Sequence, residues 1–246
     1  MSTQREPLPR QGDKTRYTAR LARVEALTEN TKHFVWELVG PRPLEFTAGQ
    51  FISLHLPHNG ADDNRAYSVA SAPRNDASFD LCLNRVPGGY FSNHLCDLAP
   101  GATIEFEGPF GFFVFRQPPR DSVFIATGTG IAPIRGMLEE LFAAGTDRHI
   151  WLIFGVRYPE TILYGREFEA LAALHANFHF WPTLSRAPAE WTGLRGHVQE
   201  HVERLAAEHS GLDAYICGLK AMVDDVRQRL RARGFDRKQI RYERYD

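Results

Sequence analysis

From Tyr17 to Phe115 the apolar residues fall in short clusters, among them Phe34-Val35-Trp36, Phe51-Ile52-Ser53-Leu54 and Phe79-Asp80-Leu81-Cys82-Leu83, set apart by Gly, Pro and Asn. Short clusters bounded by turn-forming residues predict antiparallel strands. About six of them in roughly 100 residues leave edges that need covering, so a small closed barrel is the economical architecture, with a sandwich as the alternative. After Gln117-Pro118-Pro119-Arg120 the pattern changes, and apolar strands alternate with longer segments of helical period. Strands are expected at Ser122–Ala126, His149–Gly155, Phe178–Leu184, Ala214–Gly218 and Ile240–Tyr242. Helices are expected near Ile134–Ala144, Glu167–Leu174, His197–His209 and Met222–Arg233. Repeated β-α units close most simply as a doubly wound parallel sheet whose ligand sits at the carboxyl ends of the strands. The chain therefore divides into an aperiodic polar leader (1–15), a six-stranded antiparallel β-barrel domain (16–117) and an α/β domain (118–246).

At 246 residues the chain is long enough for one large or two small cores, and its 43% hydrophobic and 24% charged residues are those of a folding globular protein. A formal net charge of -1 gives no overall drive toward nucleic acid or anionic membrane. The cysteines, Cys82, Cys96 and Cys217, are odd in number and lack the close spacing of an iron–sulfur or zinc site, so a redox cofactor has to be organic or borrowed. No run approaches 18 apolar residues and no apolar signal core opens the chain, which points to a cytoplasmic protein.

Val123-Phe124-Ile125 runs into Ala126-Thr127-Gly128-Thr129-Gly130-Ile131-Ala132-Pro133 and then an amphipathic helix. Glycines there let the backbone approach a phosphate, and Pro133 suits a helix start whose free N–H groups face an anion; the bland alternative is a tight turn. Arg65-Ala66-Tyr67-Ser68 closes a polar loop and enters a strand, offering an arginine for phosphate, an aromatic face for a planar ring and a hydroxyl. By itself it reads equally as an exposed strand with a surface arginine. Gly88-Gly89-Tyr90-Phe91-Ser92 opens a short helix, as a second phosphate cradle or a plain cap. His197-Val198-Gln199-Glu200-His201 fits the H-x-x-E-H pattern of some zinc peptidases, but a solvated or capping face accounts for both histidines inside a nucleotide-binding domain. No metal is expected.

Taken in order, these motifs resemble the ferredoxin–NADP reductases over nearly the whole chain from Tyr17. Arg65-Ala66-Tyr67-Ser68 matches that family's Arg-x-Tyr-Ser flavin motif, and Ser92 to Gly101 resembles its phosphate-binding helix, followed by Gly108-Pro109-Phe110-Gly111. Thr127 to Pro133 and Cys217-Gly218-Leu219-Lys220-Ala221-Met222 look like its nicotinamide-nucleotide motifs, and Glu243-Arg244-Tyr245 like its closing Glu-x-Tyr. Asp246 follows that aromatic as an extra residue.

The resemblance implies an FAD held by the barrel and NADPH held by the α/β domain, NADH being the alternative. Arg65 and the turn at Gly89, Tyr90, Phe91 and Ser92 would hold the FAD pyrophosphate. Tyr67 would cover one face of the ring and Tyr245 the other, Ser68 would sit at the reactive edge, and Cys82, Leu83 and Asn84 would contact the flavin through their backbone. Ala66 belongs to the same flavin motif. Thr127 would touch both cofactors; Gly128, Thr129, Gly130, Pro133, Gly218 and Leu219 would cradle the nucleotide. Val156, Arg157, Ser185 and Arg186 occupy positions resembling the family's NADP-binding ones, although an arginine at a strand end is also an ordinary solvated residue. Ser68, Cys217, Glu243 and Tyr245 are the expected catalytic set. The implied activity is electron exchange between NADPH and a separate ferredoxin or flavodoxin, carried out by a monomer. Competing readings are an NADH-dependent reductase component of a multicomponent oxygenase, a free-flavin reductase, and a non-catalytic nucleotide-binding sensor or regulatory subunit.

Overall fold

The computed structural model describes residues 15–41, 43–58 and 60–245; the expected leader, apart from Thr15, and Asp246 lie outside them. The first six strands are β1 (Arg16–Ala26), β2 (Thr31–Val39), β3 (Phe51–His58), β4 (Ala61–Ser68), β5 (Ser78–Asn84) and β6 (Thr103–Phe110). Their side chains alternate as a half-buried sheet requires. In β3, Ile52, Leu54 and Leu56 are buried between more exposed neighbours, and in β6 Ile104 and Phe106 alternate with Glu105 and Glu107. The strands pair antiparallel in the order β4-β3-β6-β1-β2-β5. The outer strands then meet through a single bridge, Val69 to Leu81, beside the Ala70 amide donating to the Asp80 carbonyl at 2.8 Å. This closure makes the sheet a barrel around Trp36, Phe34, Phe79 and Phe106. Helix α1 (Tyr90–Asp97) lies between β5 and β6 and adds Phe91, Leu95 and Cys96 to that core.

The polar stretch read as a loop before Tyr67 is strand β4. Its residues Ala61 to Ala66 are mostly exposed, yet they pair with β3 along their whole length, from His58↔Ala61 to Phe51↔Ser68. An outer strand can carry charge on both faces because backbone pairing alone holds it.

The second sheet is parallel throughout, in the order β10-β9-β8-β7-β11-β12: β7 (Ser122–Thr127), β8 (Ile150–Val156), β9 (Phe178–Leu184), β10 (Leu194–Arg195), β11 (Asp213–Leu219) and β12 (Ile240–Tyr245). Alternate residues of its central strands enter two separate cores. Phe124, Ala126, Leu152, Phe154, Tyr215 and Cys217 face α2 (Ile131–Ala143) and α3 (Gly165–Leu174); Val123, Ile125, Ile153 and Ile216 face α4 (Val198–Glu208) and α5 (Lys220–Ala232). Helices thus cover both faces, as the unbroken apolar runs of the strands demand. The α2 core continues into the barrel through Ala48, Ala70, Cys82 and Phe113. The C-terminal strand reaches past Tyr242 to Tyr245, because each residue from Ile240 on pairs with Ala214 to Leu219 of β11. Among the described residues no helix is long and apolar enough to cross a membrane.

Candidate cofactor and redox site

The carboxyl ends of β7, β11 and β12 converge on the end of β4. Parallel register sets Glu243 beside Cys217 and Tyr245 beside Leu219, so the last residues of the strand reach over the barrel. The Tyr245 hydroxyl donates to Ser68 Oγ at 2.7 Å, and Ser68 Oγ donates to Glu243 Oε1 at 2.8 Å. Cys217, fully buried, lies within hydrogen-bond reach of the same tyrosine. Burial pushes the Cys217 thiol well above its ordinary value, with Glu243 adding to the shift, and burial likewise raises the Glu243 carboxyl against the opposing pull of the Ser68 hydrogen bond. An un-ionised thiol is a poor nucleophile, so Cys217 is suited to shaping and packing a ring site. Four groups expected from the sequence are thereby gathered from three strands.

Around Thr127 the backbone closes tightly. Gly128 takes φ +54 and leads through one 3₁₀ turn into α2, whose N-cap residue, Gly130, supplies no side-chain cap. The Ile131 amide is engaged with the carbonyls of Gly128 and Thr129 and Pro133 has none, so only part of the first turn of α2 is left for an anion. A Cβ on Gly130 would stand 2.4 Å from the Cys217 carbonyl oxygen, and one on Gly218 (φ +147) 2.3 Å from Thr127 Oγ1. Only glycine permits these contacts. The buried Thr127 hydroxyl has no hydrogen-bond partner, while the Cα of Gly128 faces open space. An orphaned hydroxyl beside a glycine-lined helix start fits the polar edge of a dinucleotide.

On the barrel side, Arg65 is exposed, donates to the Asn64 carbonyl at 2.7 Å and stands over the Phe91 ring at 5.4 Å. It thus overlooks the start of α1, where Gly89 caps without a side chain. The side chains of Tyr90 and Ser92 are engaged in building that turn. Tyr90 donates to the Pro57 carbonyl at 2.5 Å and stacks on His58 at 4.0 Å, and Ser92 Oγ accepts the Val86 amide at 3.0 Å. What the turn can offer a phosphate is backbone amides beside the Arg65 charge. Tyr67 pairs with Ile52, and burial lifts its phenol to about 12. In β5 the Asp80 amide and carbonyl face β4, so strand alternation turns those of Cys82 and Asn84 to the same side. Among the described residues, pairing on that side stops at the Val69–Leu81 bridge, so the strand edge past it, at Asn84, has no partner strand, with Leu83 pointing into the barrel core.

Farther out, Ser185 and Arg186 donate their amides to the carbonyls of Val156 and Arg157, both at 3.0 Å. Arg157, Ser185 and Arg186 are exposed at the ends of β8 and β9, and the Arg186 guanidinium reaches the Tyr158 hydroxyl at 3.1 Å. Leu219, 66% exposed, projects from the end of β11. The second histidine of the H-x-x-E-H run, His201, is buried and holds the chain together, with Nε2 2.9 Å from Thr183 Oγ1 and 3.0 Å from the Arg195 carbonyl. Sequence reasoning missed Tyr158 and a buried pair, Arg135 and Asp80, that links α2 to β5. A charged residue inside the apolar run Ile131–Leu138 was the available signal for the latter.

The family model described as an oxidoreductase FAD-binding domain matches residues 18–115, and that described as an oxidoreductase NAD-binding domain matches residues 124–228. Ferredoxin–NADP reductase B of Sorangium cellulosum is 42% identical over 239 residues, covering 94% of this chain and 98% of that one. The toluate 1,2-dioxygenase electron transfer component of Pseudomonas putida is 31% identical, covering 93% of this chain and 67% of its own length. The chain spans little more than half of other oxygenase reductases it matches, such as 53% of a Pseudomonas phenol 2-monooxygenase reductase component. A solved ferredoxin NADP+ reductase from Neisseria gonorrhoeae with bound FAD and NADP superposes with a TM-score of 0.82 at 26% identity, over 93% of this chain and 98% of that one. Barrel, parallel sheet and whole-length relative agree: the chain belongs to the ferredoxin–NADP reductase family of oxidoreductases, with an FAD-binding and a nicotinamide-nucleotide-binding domain.

Proposed function

We propose that the protein exchanges a hydride between NADPH and its FAD and passes single electrons to or from a separate ferredoxin or flavodoxin, as a cytoplasmic monomer. The observation that carries this reading is the convergence of Ser68, Glu243, Tyr245 and Cys217. A bound flavin supplies the conversion between two-electron and one-electron transfer. The chain's own residues position and shield. Arg65 and the α1 amides would hold the pyrophosphate, the backbone of Cys82 to Asn84 would contact the ring, and Tyr67 would pack on its face. Tyr245 would swing from Ser68 to admit the nicotinamide beside Cys217 and Thr127. Ser68 and Glu243 keep a hydrogen-bonded proton at the reacting edge. Arg157, Ser185 and Arg186 take the 2′-phosphate, for which a guanidinium fork is well shaped.

The relatives that serve oxygenases favour a second reading, an NADH-linked reductase component. A sensor that only binds nucleotide has no need for the Tyr245–Ser68–Glu243 relay. The deciding experiment is the visible spectrum of the purified protein followed during anaerobic addition of NADPH or NADH. Fast bleaching by NADPH and slow bleaching by NADH is expected. The reverse order favours the oxygenase reading, and a colourless protein that takes up no FAD refutes both.

A further inference from the structure

Two residues beyond Ser68, the chain is gripped by the helix that follows the Thr127 loop. Arg135 Nη1 donates to the Ala70 carbonyl at 2.8 Å, and Glu139 Oε2 accepts the Ala72 amide at 2.9 Å. Between them Gly136 lies so near Ser71 that a Cβ would stand 2.5 Å from its carbonyl oxygen. One face of α2 thus holds three successive residues of the flavin-side strand exit. Arg135 is only 9% exposed, and its other donors reach Asp80 at 3.2 Å, Glu139 at 2.8 Å and Glu167 at 2.9 Å. Its guanidinium also lies over the Tyr164 ring at 4.9 Å. Asp80, 1% exposed, is further held by two bonds of 2.8 Å from Arg74.

Burying the Arg135 and Asp80 charges is a costly way to join two domains that already share an apolar core. Apolar surfaces tolerate sliding, whereas directional hydrogen bonds fix register. Hydride transfer is sensitive to register, since a 1 Å misplacement costs about 100-fold in rate. We infer that Arg135 is a positioning residue that, with Gly136 and Glu139, sets the separation between Ser68 and the Thr127–Cys217 pocket. The inference rests on the reductase reading above and names what holds the two halves of that site in register.

The test uses the full-length, FAD-loaded protein and three variants. Arg135→Met removes the directional bonds, Gly136→Ala wedges helix from strand without changing charge, and Glu139→Gln, the mildest, keeps the fold if the others fail to assemble. Three measurements are made: single-turnover anaerobic reduction by NADPH with its deuterium isotope effect, the long-wavelength charge-transfer absorbance of nucleotide on flavin, and amide hydrogen exchange of residues 69–73 without nucleotide. Reduction is expected to slow roughly tenfold or more in Arg135→Met and Gly136→Ala, with a weakened charge-transfer band, a changed isotope effect, faster exchange at Ala72 and unaltered FAD content. Wild-type rates and spectra in the FAD-loaded variants would overturn the inference. So would slower reduction with the band and isotope effect unchanged. A wild-type protein that holds FAD but is reduced by neither nucleotide would instead overturn the function itself, and the inference with it.

Discussion

Buried between the Tyr164 hydroxyl, 2.9 Å from Nδ1, and Asp80, 3.6 Å from Nε2, His33 is kept uncharged: burial lowers its pKa to about 4, outweighing the attraction of Asp80. An unfolded chain takes up that proton near 6.5, so the folded state is favoured above this value and loses the advantage as pH falls from about 6.5 to about 4. The loss is on the order of 3 kcal/mol. Urea unfolding at pH 7 and pH 5 is expected to show about 2 kcal/mol of it, and His33→Asn to flatten the difference. Glu243 runs the other way. Its folded pKa is raised, so the group favours the folded state at low pH and ceases to as pH rises past its folded value. Glu243→Gln is therefore expected to keep or raise the melting temperature at pH 8 while slowing flavin reduction, a trade common at functional sites. At the nucleotide end, Arg186→Ala removes a charged hydrogen-bond donor worth about 1.5–3 kcal/mol. KM for NADPH is expected to rise about 10- to 100-fold with that for NADH nearly unchanged; equal changes for both would remove Arg186 from the phosphate site.

The turn from β7 into α2 shows how closely elements are fitted here. Gly130→Ala would drive a methyl into the Cys217 carbonyl at the end of β11, and overpacking of this kind costs about 1–3 kcal/mol. Nucleotide affinity is expected to fall about tenfold while FAD stays bound, as difference-spectrum titration of each cofactor would reveal. Elements of this sheet were legible in the sequence because strands covered on both faces leave unbroken apolar runs such as Val123-Phe124-Ile125. β4 was hidden, since an outer strand signals itself only through pairing; β12 was foreshortened for the same reason, its alternating Arg and Tyr resembling a fraying tail. β10 has two residues and no pattern to read. The site motifs were visible as local strings. The grip of α2 on Ala70–Ala72 was not, because it joins residues more than sixty positions apart.

Across the whole molecule, a core that runs from Phe154 and Tyr215 through Met137 to Ala70 and Cys82 joins the two domains, beside the interior each keeps for itself. Flavin release and the change in tryptophan fluorescence are therefore expected to coincide on heating; two resolved transitions would contradict this coupling. The side of β5 past the Val69–Leu81 bridge, at Asn84, has a consequence of a different kind. Unpaired amides and carbonyls on a strand are a template for another chain, which is how edge-to-edge aggregation begins. If FAD covers that edge, it guards solubility as well as carrying electrons. Protein stripped of flavin is then expected to associate with rising concentration, as light scattering would detect, and to return to its dispersed state when FAD is restored.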